Sequence, residues 1–365
     1  MPSAHIVGAG VFGAWIAHAL RRRGWAVTLI DQHGPANSRA SSGGETRIIR
    51  SGYGSLAVYA AWARDSLPQW LDLERRAAER LFVKTGALFL GANAAWLQDT
   101  IATLDSEGVQ ARWLAPHDIT AQFPQLVFDN TAGGVLEPDA GVLFARRAVQ
   151  SLVRLLVQEG VKYEHRAVDA AGVRNSRVDA LVFACGPWLP QIFPGVLRDV
   201  IVPTRQEVFF FGAPACDDQF APARFPAWVA FDEGIYGLPD LEHRGVKVAF
   251  DAHGEEIDPE RMERVVAPAS VQRMREMLHR HIPQLADAPL LEARVCQYEN
   301  TSNGHLLIDR LPGHERVWIA GGGSGHGFKH GPAVGQYVAD QIEGKGPTQP
   351  LFRLEGRPPR NRAVF

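Results

Sequence analysis

Short apolar runs and a helical repeat alternate over the first forty residues. His5–Gly8 reads as a short apolar strand. Val11 to Arg23 follows with Ile16, Ala17 and Leu20 at helical spacing, and Gly24 stands where a helix ends. Ala26–Asp31, AVTLID, is short and apolar enough to be a strand buried in a parallel sheet. The pattern predicts a β-α-β unit. Further on it predicts a helix over Ala57–Arg80, a strand over Gly86–Gly91, and a helix-loop-helix over 102–126, ATLDSEGVQARWLAPHDITAQFPQL. The stretch GGVLEPDAGVLF (133–144) is rich in turns, Ala145–Glu159 is amphipathic and helical, and VDALVFACGPW (178–188) is a buried strand ending in a glycine turn. From Val202 to Phe250 the rhythm changes. Aromatic runs EVFFFG, AWVAF, GIYGLP and GVKVAF are separated by turns, which predicts a mostly antiparallel sheet. Residues 317–342 return to strand, glycine turn and helix. The expected architecture is α/β with two interleaved domains. One is Rossmann-like and discontinuous (1–84, 145–200 and 295–365), and the other is mostly antiparallel (85–144 and 201–294). No internal repeat stands out.

Length supports two domains, since 365 residues exceed the roughly 250–300 that one core sustains. A net charge of −2 offers no basic excess for nucleic acid or an anionic membrane. Cys185, Cys216 and Cys296 are odd in number and far apart, which speaks against a zinc ribbon or a disulfide framework. His279 and His281, in LHRHIP, have no HExxH context, so no metal is expected. No apolar run approaches about 18 residues, no secretory pattern precedes AHIVGAGVFG, and NRAVF at the end carries no lipidation signal. A cytoplasmic protein is the expectation.

Gly8, Gly10 and Gly13 form GxGxxG within VGAGVFG. The first glycine permits the tight turn, the second admits a pyrophosphate, and the third lets helix and strand close up. Val11 and Phe12 then open a helix whose free N–H groups and dipole face the phosphates. Asp31 follows Gly10 by 21 positions, at the end of the second strand, where a carboxylate can accept hydrogen bonds from ribose hydroxyls. This context predicts dinucleotide binding without choosing between NAD and FAD.

Three further segments narrow that choice. They are SSGGETRIIRSGYG (41–54), GIYGLPDLEHRGVKVAFDAHGEEIDPE (234–260) and RVCQYENTSNGHLLIDRLPGHERVWIAGGGSGHGFKHGPAVG (294–335). In order and spacing they resemble the monomeric sarcosine oxidases and N-methyltryptophan oxidases, within the D-amino-acid-oxidase-like flavoenzymes. The resemblance covers most of the chain, and TRIIR together with GHGFK makes it specific. It implies FAD, an FAD-binding domain roofed by a β-sheet substrate domain, and a monomer. It also implies a reaction in which an amino acid or secondary amine is oxidised to an imine while oxygen is reduced to hydrogen peroxide. Competing readings are a dehydrogenase with another electron acceptor, a flavoprotein subunit of a hetero-oligomer, and an NAD-binding module.

The same resemblance assigns residues. Cys296 falls where those enzymes attach the flavin through a thioether. Lys247 matches the lysine over the flavin implicated in the reaction with oxygen. Arg50 and Lys329 match the pair that holds the substrate carboxylate, and Tyr236 and Tyr298 match tyrosines near the substrate. His326 matches a histidine near flavin and substrate, a base or a dipole that orients the amine. Ser41, Ser42, Thr46, Arg47, Gly325, Gly327 and Lys329 complete the expected cofactor set. One departure stands out: Asp251 occupies the position of a family histidine four residues after the lysine. CQY and FKHGP also differ from the sarcosine-oxidase pattern. A carboxylate at 251 repels an acidic substrate or receives a cationic one, so a different substrate from sarcosine, or a broader range, is expected.

Overall fold

The computed structural model describes residues 1–172, 176–215 and 217–357. Cys216 and the terminal NRAVF lie outside the described residues.

The apolar strands of the first forty residues form the middle of a six-stranded sheet. Its order is Leu307–Arg310, Val317–Gly321, Ala180–Phe183, Ser3–Val7, Ala26–Asp31 and Lys162–His165. All neighbours run parallel except the first pair. Ala180–Phe183 is buried at every residue, as a central parallel strand requires. Lys162–His165, KYEH, is a polar edge strand that periodicity did not reveal.

Between sheet and solvent lies the helix Val11–Arg22, buried from Val11 through Leu20 because the C-terminal helix Gly331–Ile342 covers its outer side. Trp15 and Trp70 meet edge to face at 5.0 Å, joining the first helix to Ala57–Ala77. That third helix stops three residues short of the predicted Arg80, because Ala78 turns left-handed (φ 50°) and its N–H caps the last turn. Trp70 is fully buried, and truncating such a side chain to alanine costs about 3–5 kcal/mol.

The aromatic runs form the expected antiparallel sheet, eight strands in the order Leu290–Thr301, Ile201–Phe211, Val246–Phe250, Ile235–Leu238, Ala227–Ala230, Ala87–Gly91, Gly133–Glu137 and Arg112–Leu114. Only the contact of Ala227–Ala230 with Ala87–Gly91 is parallel. Arg112–Leu114 is a strand within the predicted helix-loop-helix, between helices Ala94–Ser106 and Pro116–Gln122. One face of this sheet is covered by the helix Pro268–His281 through Met274, Met277 and Leu278. Three short strands, Arg47–Ile49, Gly141–Leu143 and Phe82–Lys84, form a third sheet.

Candidate active site

The GxGxxG turn is dictated by space. Gly8 has φ 105°, and a Cβ there would lie 2.3 Å from Ala184 O, while a Cβ on Gly13 would lie 1.8 Å from Gly8 O. The helix that follows has no acid in its first turn, so its positive end is not neutralised from within. Among the described residues, only Ser42 draws off one of its N–H groups, that of Val11, to Oγ at 3.1 Å. Asp31 ends the second strand and fixes the loops on either side, accepting from Ala9 N at 2.7 Å and from His33 N and Gly34 N at 2.7 and 2.8 Å.

Gly8, Gly10, Val11, Phe12, Asp31 and His33 line a cavity of about 610 Å3, together with Ser41, Ser42, Cys185 and Glu299. Two buried oxygens in this region, Ser41 Oγ and Glu299 Oε2, have no partner among the described residues. Unpaired buried polar atoms call for a partner, and beside a cavity a ligand can supply it. Glu299 is an addition to the expected set. Its other oxygen accepts from Gly323 N at 3.2 Å, and burial pushes its carboxyl up to about 7.

A second, smaller cavity of about 60 Å3 joins residues far apart in sequence. Arg50, Tyr236, Lys247, Tyr298, His326 and Lys329, the six expected to carry the chemistry, all line it, with Thr46, Arg47, Gly325 and Asp251. Arg50 and Lys329 are 6% and 3% exposed. The Arg50 guanidinium packs over Tyr53 at 4.4 Å and Phe89 at 5.1 Å, and donates to Gly52 O. Lys329 Nζ donates to His326 O at 2.9 Å and sits 4.9 Å over the Tyr53 ring. Burial, reinforced by Arg50, drives the Lys329 amine well below its ordinary range.

Lys247 stands opposite on the antiparallel sheet, 3% exposed, with Nζ donating to Thr46 O at 3.1 Å. Burial and then the neighbouring Arg47 bring its amine down to about 7. Asp251 is half-buried and accepts from Tyr298 OH at 2.9 Å. Burial raises its carboxyl, and the Tyr298 hydrogen bond, Arg50 and Lys329 oppose that rise. Cys296 is not in either lining. It lies two residues before Tyr298 on one strand, hence on the same face, with Sγ 3.8 Å from Arg47 Nη2. Gly327 holds the GHGFK turn against the first helix, since a Cβ there would lie 2.9 Å from the Phe12 ring.

Behind the cavity wall runs a polar chain that the sequence did not disclose. His326 Nε2 faces Gly304 O at 3.0 Å, and a carbonyl can only accept, so Nε2 carries the proton. His326 Nδ1 therefore accepts from Tyr53 OH at 3.1 Å, and Tyr53 in turn accepts from His330 Nε2 at 2.9 Å. Burial, with Lys329 next, keeps both imidazoles well below their usual range and so neutral. Both ring nitrogens of His326 are thus engaged within the protein. Glu137 backs Arg50 from a fully buried strand and accepts from Ser51 N at 2.8 Å and Gly52 N at 2.6 Å. Tyr53 was in view within SGYG and His330 within GHGFKH, but their partners come from other elements. Glu137 had one local signal, an acid in an otherwise apolar strand.

The chain matches the FAD dependent oxidoreductase family, DAO, over residues 4–341. It belongs to that family. Monomeric sarcosine oxidase of Bacillus sp. (strain B-0618) is 29% identical over 364 residues, covering 94% of this chain and 92% of its own. N-methyl-L-tryptophan oxidase of Salmonella heidelberg (strain SL476) is 26% identical, with 96% and 97% covered. Among solved structures, L-proline dehydrogenase from P. horikoshii superposes with a TM-score of 0.81 at 22% identity, covering 96% of this chain and 95% of its own. Fructosamine oxidase from Aspergillus fumigatus (Amadoriase II) does so at 0.78 and 21%, covering 97% and 89%. These two share the fold. The residues of this FAD dependent oxidoreductase fit its cofactor: the Gly8–Gly13 turn and helix end suit the pyrophosphate, Asp31 suits ribose hydroxyls, and Ser41 and Glu299 offer unsatisfied oxygens to the rest.

Proposed function

We propose that the protein is an oxidase that removes two electrons from the C–N bond of an amino acid or a related secondary amine, forming an imine and hydrogen peroxide. The observation that carries this is the single cavity in which Arg50, Lys329, Lys247 and Asp251 converge. The relatives' names, sarcosine oxidase and N-methyl-L-tryptophan oxidase, support the substrate class. Segments 1–84, 145–200 and 295–365 make the FAD-binding domain, and 85–144 and 201–294 the substrate domain. Strand Leu290–Thr301 runs continuously across that division.

FAD supplies the acceptor for the substrate's electron pair. The protein's part is binding, orientation and electrostatics. Arg50 and Lys329, two cations in a site closed to water, grip the substrate carboxylate. Asp251, held by Tyr298, faces the amine end and favours a substrate with a donor or positive charge there. Tyr236 and Tyr298 shape the pocket. His326 acts as a positioning residue, because both its nitrogens are committed to Tyr53 and Gly304. Lys247 provides a positive potential for charge developing on oxygen. Cys296 would hold the flavin through a thioether, and Arg47 Nη2 lies 3.8 Å from its sulfur. The protein works as a monomer in the cytoplasm, with a small-molecule substrate and oxygen as its partners.

The deciding experiment is an anaerobic screen of amino acids and N-methyl amines for bleaching of the flavin band, followed by admission of oxygen and assay of peroxide. Bleaching by an amine with peroxide on reoxidation is the expected result. Bleaching that only an artificial acceptor reverses would make the protein a dehydrogenase.

A further inference from the structure

Successive residues of a strand face opposite ways, and the strand Leu290–Thr301 serves two cavities by this means. Tyr298 lines the 60 Å3 cavity, and Glu299 lines the 610 Å3 cavity that fits the cofactor. Glu299 is 7% exposed, and its carboxyl lies between two glycines. A Cβ on Gly186 would lie 3.0 Å from Oε2, and one on Gly323 would lie 3.1 Å from Oε1. Oε1 accepts from Gly323 N at 3.2 Å, whereas Oε2 is buried with no partner among the described residues. Gly186 comes two residues after Ala184, whose carbonyl oxygen closes on Gly8. The orphan oxygen therefore stands beside the turn that takes the pyrophosphate.

Among the described residues, no lysine or arginine lines this cavity. Cys185 faces the carboxyl from the turn after Ala180–Phe183, and Pro203 stands opposite on the neighbouring strand. In the GHGFK turn, His326 directs both ring nitrogens elsewhere, to Tyr53 and Gly304. Asp31, His33, Asp169 and Glu260 complete the titratable lining. Burial already pushes the Glu299 carboxyl up to about 7. FAD adds the negative charge of its diphosphate to the same cavity and displaces water from it. Both effects disfavour a carboxylate further, so the complex holds a neutral acid. A neutral carboxyl has an O–H to donate, and the diphosphate and ribityl oxygens of FAD can accept it.

We infer that Glu299 is a proton-carrying ligand of FAD: Oε2 donates a hydrogen bond to a diphosphate or ribityl oxygen, and binding above neutral pH takes up a proton from solvent. Asp31, fixed by three backbone N–H donors, serves the cofactor as an anion, and Glu299 serves it as a neutral acid. The inference rests on FAD as the cofactor and holds whichever amine is oxidised and whatever accepts the electrons.

The test titrates FAD into the apoprotein of Cys296→Ser, in which the cofactor exchanges whether or not wild type forms the thioether. Quenching of flavin fluorescence reads the Kd between about pH 5.5 and 9. Affinity should be level below about pH 7 and fall by up to about tenfold per pH unit above it. In the same background Glu299→Gln keeps the shape and a donor without the titrating proton. Its affinity should stay within about threefold of the low-pH value at every pH. Glu299→Ala loses the donor and should bind FAD at least about tenfold more weakly below about pH 7. If the alanine variant does not fold, the glutamine variant decides. Affinity that rises with pH, or a glutamine variant that binds weakly throughout, would make Glu299 an ionised acceptor and overturn the inference. So would a pH dependence that persists in Glu299→Gln, or an alanine variant with undiminished affinity. A protein that binds FAD at no pH would fail the cofactor assignment itself.

Discussion

Replacing Lys329 by methionine separates a carboxylate clamp from a structural charge more cleanly than any change at Arg50. Among the described residues the Lys329 ammonium makes one hydrogen bond, to His326 O, and the residue is 3% exposed. Methionine fills a similar volume and leaves one carbonyl without its donor. Arg50 also backs onto Glu137, a buried carboxylate whose ordinary charge is partly held by that guanidinium. Glu137 keeps its Ser51 and Gly52 N–H donors in either variant, but Arg50→Met removes the larger of the two cationic contributions to its charge and Lys329→Met only the smaller. For Lys329, a charge-assisted hydrogen bond to a substrate carboxylate contributes about 1.5–3 kcal/mol. Since about 1.4 kcal/mol is tenfold in a binding constant, Lys329→Met should weaken a carboxylate substrate by roughly ten- to a hundredfold. Burial lowers the amine's titration range in the free protein, and a bound carboxylate raises it again. Affinity should accordingly fall as pH rises through the free amine's lowered range, and the variant should lose that dependence. Anaerobic flavin titration with an amino acid and its decarboxylated amine measures all three effects. Equal weakening of both ligands would show that Lys329 holds fold or cofactor instead. A wild type that prefers the decarboxylated amine would show that Asp251 selects a cation and that no carboxylate is gripped.

Lys247→Met should slow reoxidation of the reduced flavin by oxygen far more than its anaerobic reduction, because negative charge grows on oxygen beside this amine; equal effects in stopped-flow on both half-reactions would remove the role. Acid precipitation of wild type should leave the yellow colour in the pellet, and Cys296→Ser should move it to the supernatant; release of all FAD by wild type would refute the thioether. Glu299, raised to about 7 by burial, makes the folded apoprotein bind more protons than the unfolded chain between its ordinary value of 4.5 and about 7. Its contribution is therefore complete below that window and is lost as pH rises through it, by at most about 3 kcal/mol. Glu299→Gln should flatten this part of the denaturation profile, and an unchanged slope would mean that another group titrates there.

What the sequence disclosed follows the range over which each cause acts. The β-α-β unit was legible because its glycines, its helix repeat and Asp31 act within one short stretch. The aromatic runs disclosed an antiparallel sheet because β-favouring runs separated by turns are local as well. Pro268–His281 was equally local, with Met274, Met277, Leu278 and His281 buried at helical spacing, and the pattern was there to be read. Lys162–His165 was not legible: a polar edge strand owes its state to Ala26–Asp31 beside it and not to its own composition. The site divides in the same way. Its lining was reached through motif resemblance, since Arg50, Lys247 and Lys329 lie on segments that only the fold brings to one cavity. The groups that set the charge of that lining were missed, because Glu137 matters through Arg50, and Tyr53 and His330 matter through His326. Asp251 marks the boundary between the two. The sequence showed the substitution, but its meaning depends on the Tyr298 hydroxyl that holds it and on the two cations across the cavity. An acid held in that way shares one small cavity with Arg50 and Lys329, whose charges favour its anion. It gives the pocket a polarity, cationic at Arg50 and Lys329 and anionic at Asp251, and an amino acid with its own two charged ends can align along it.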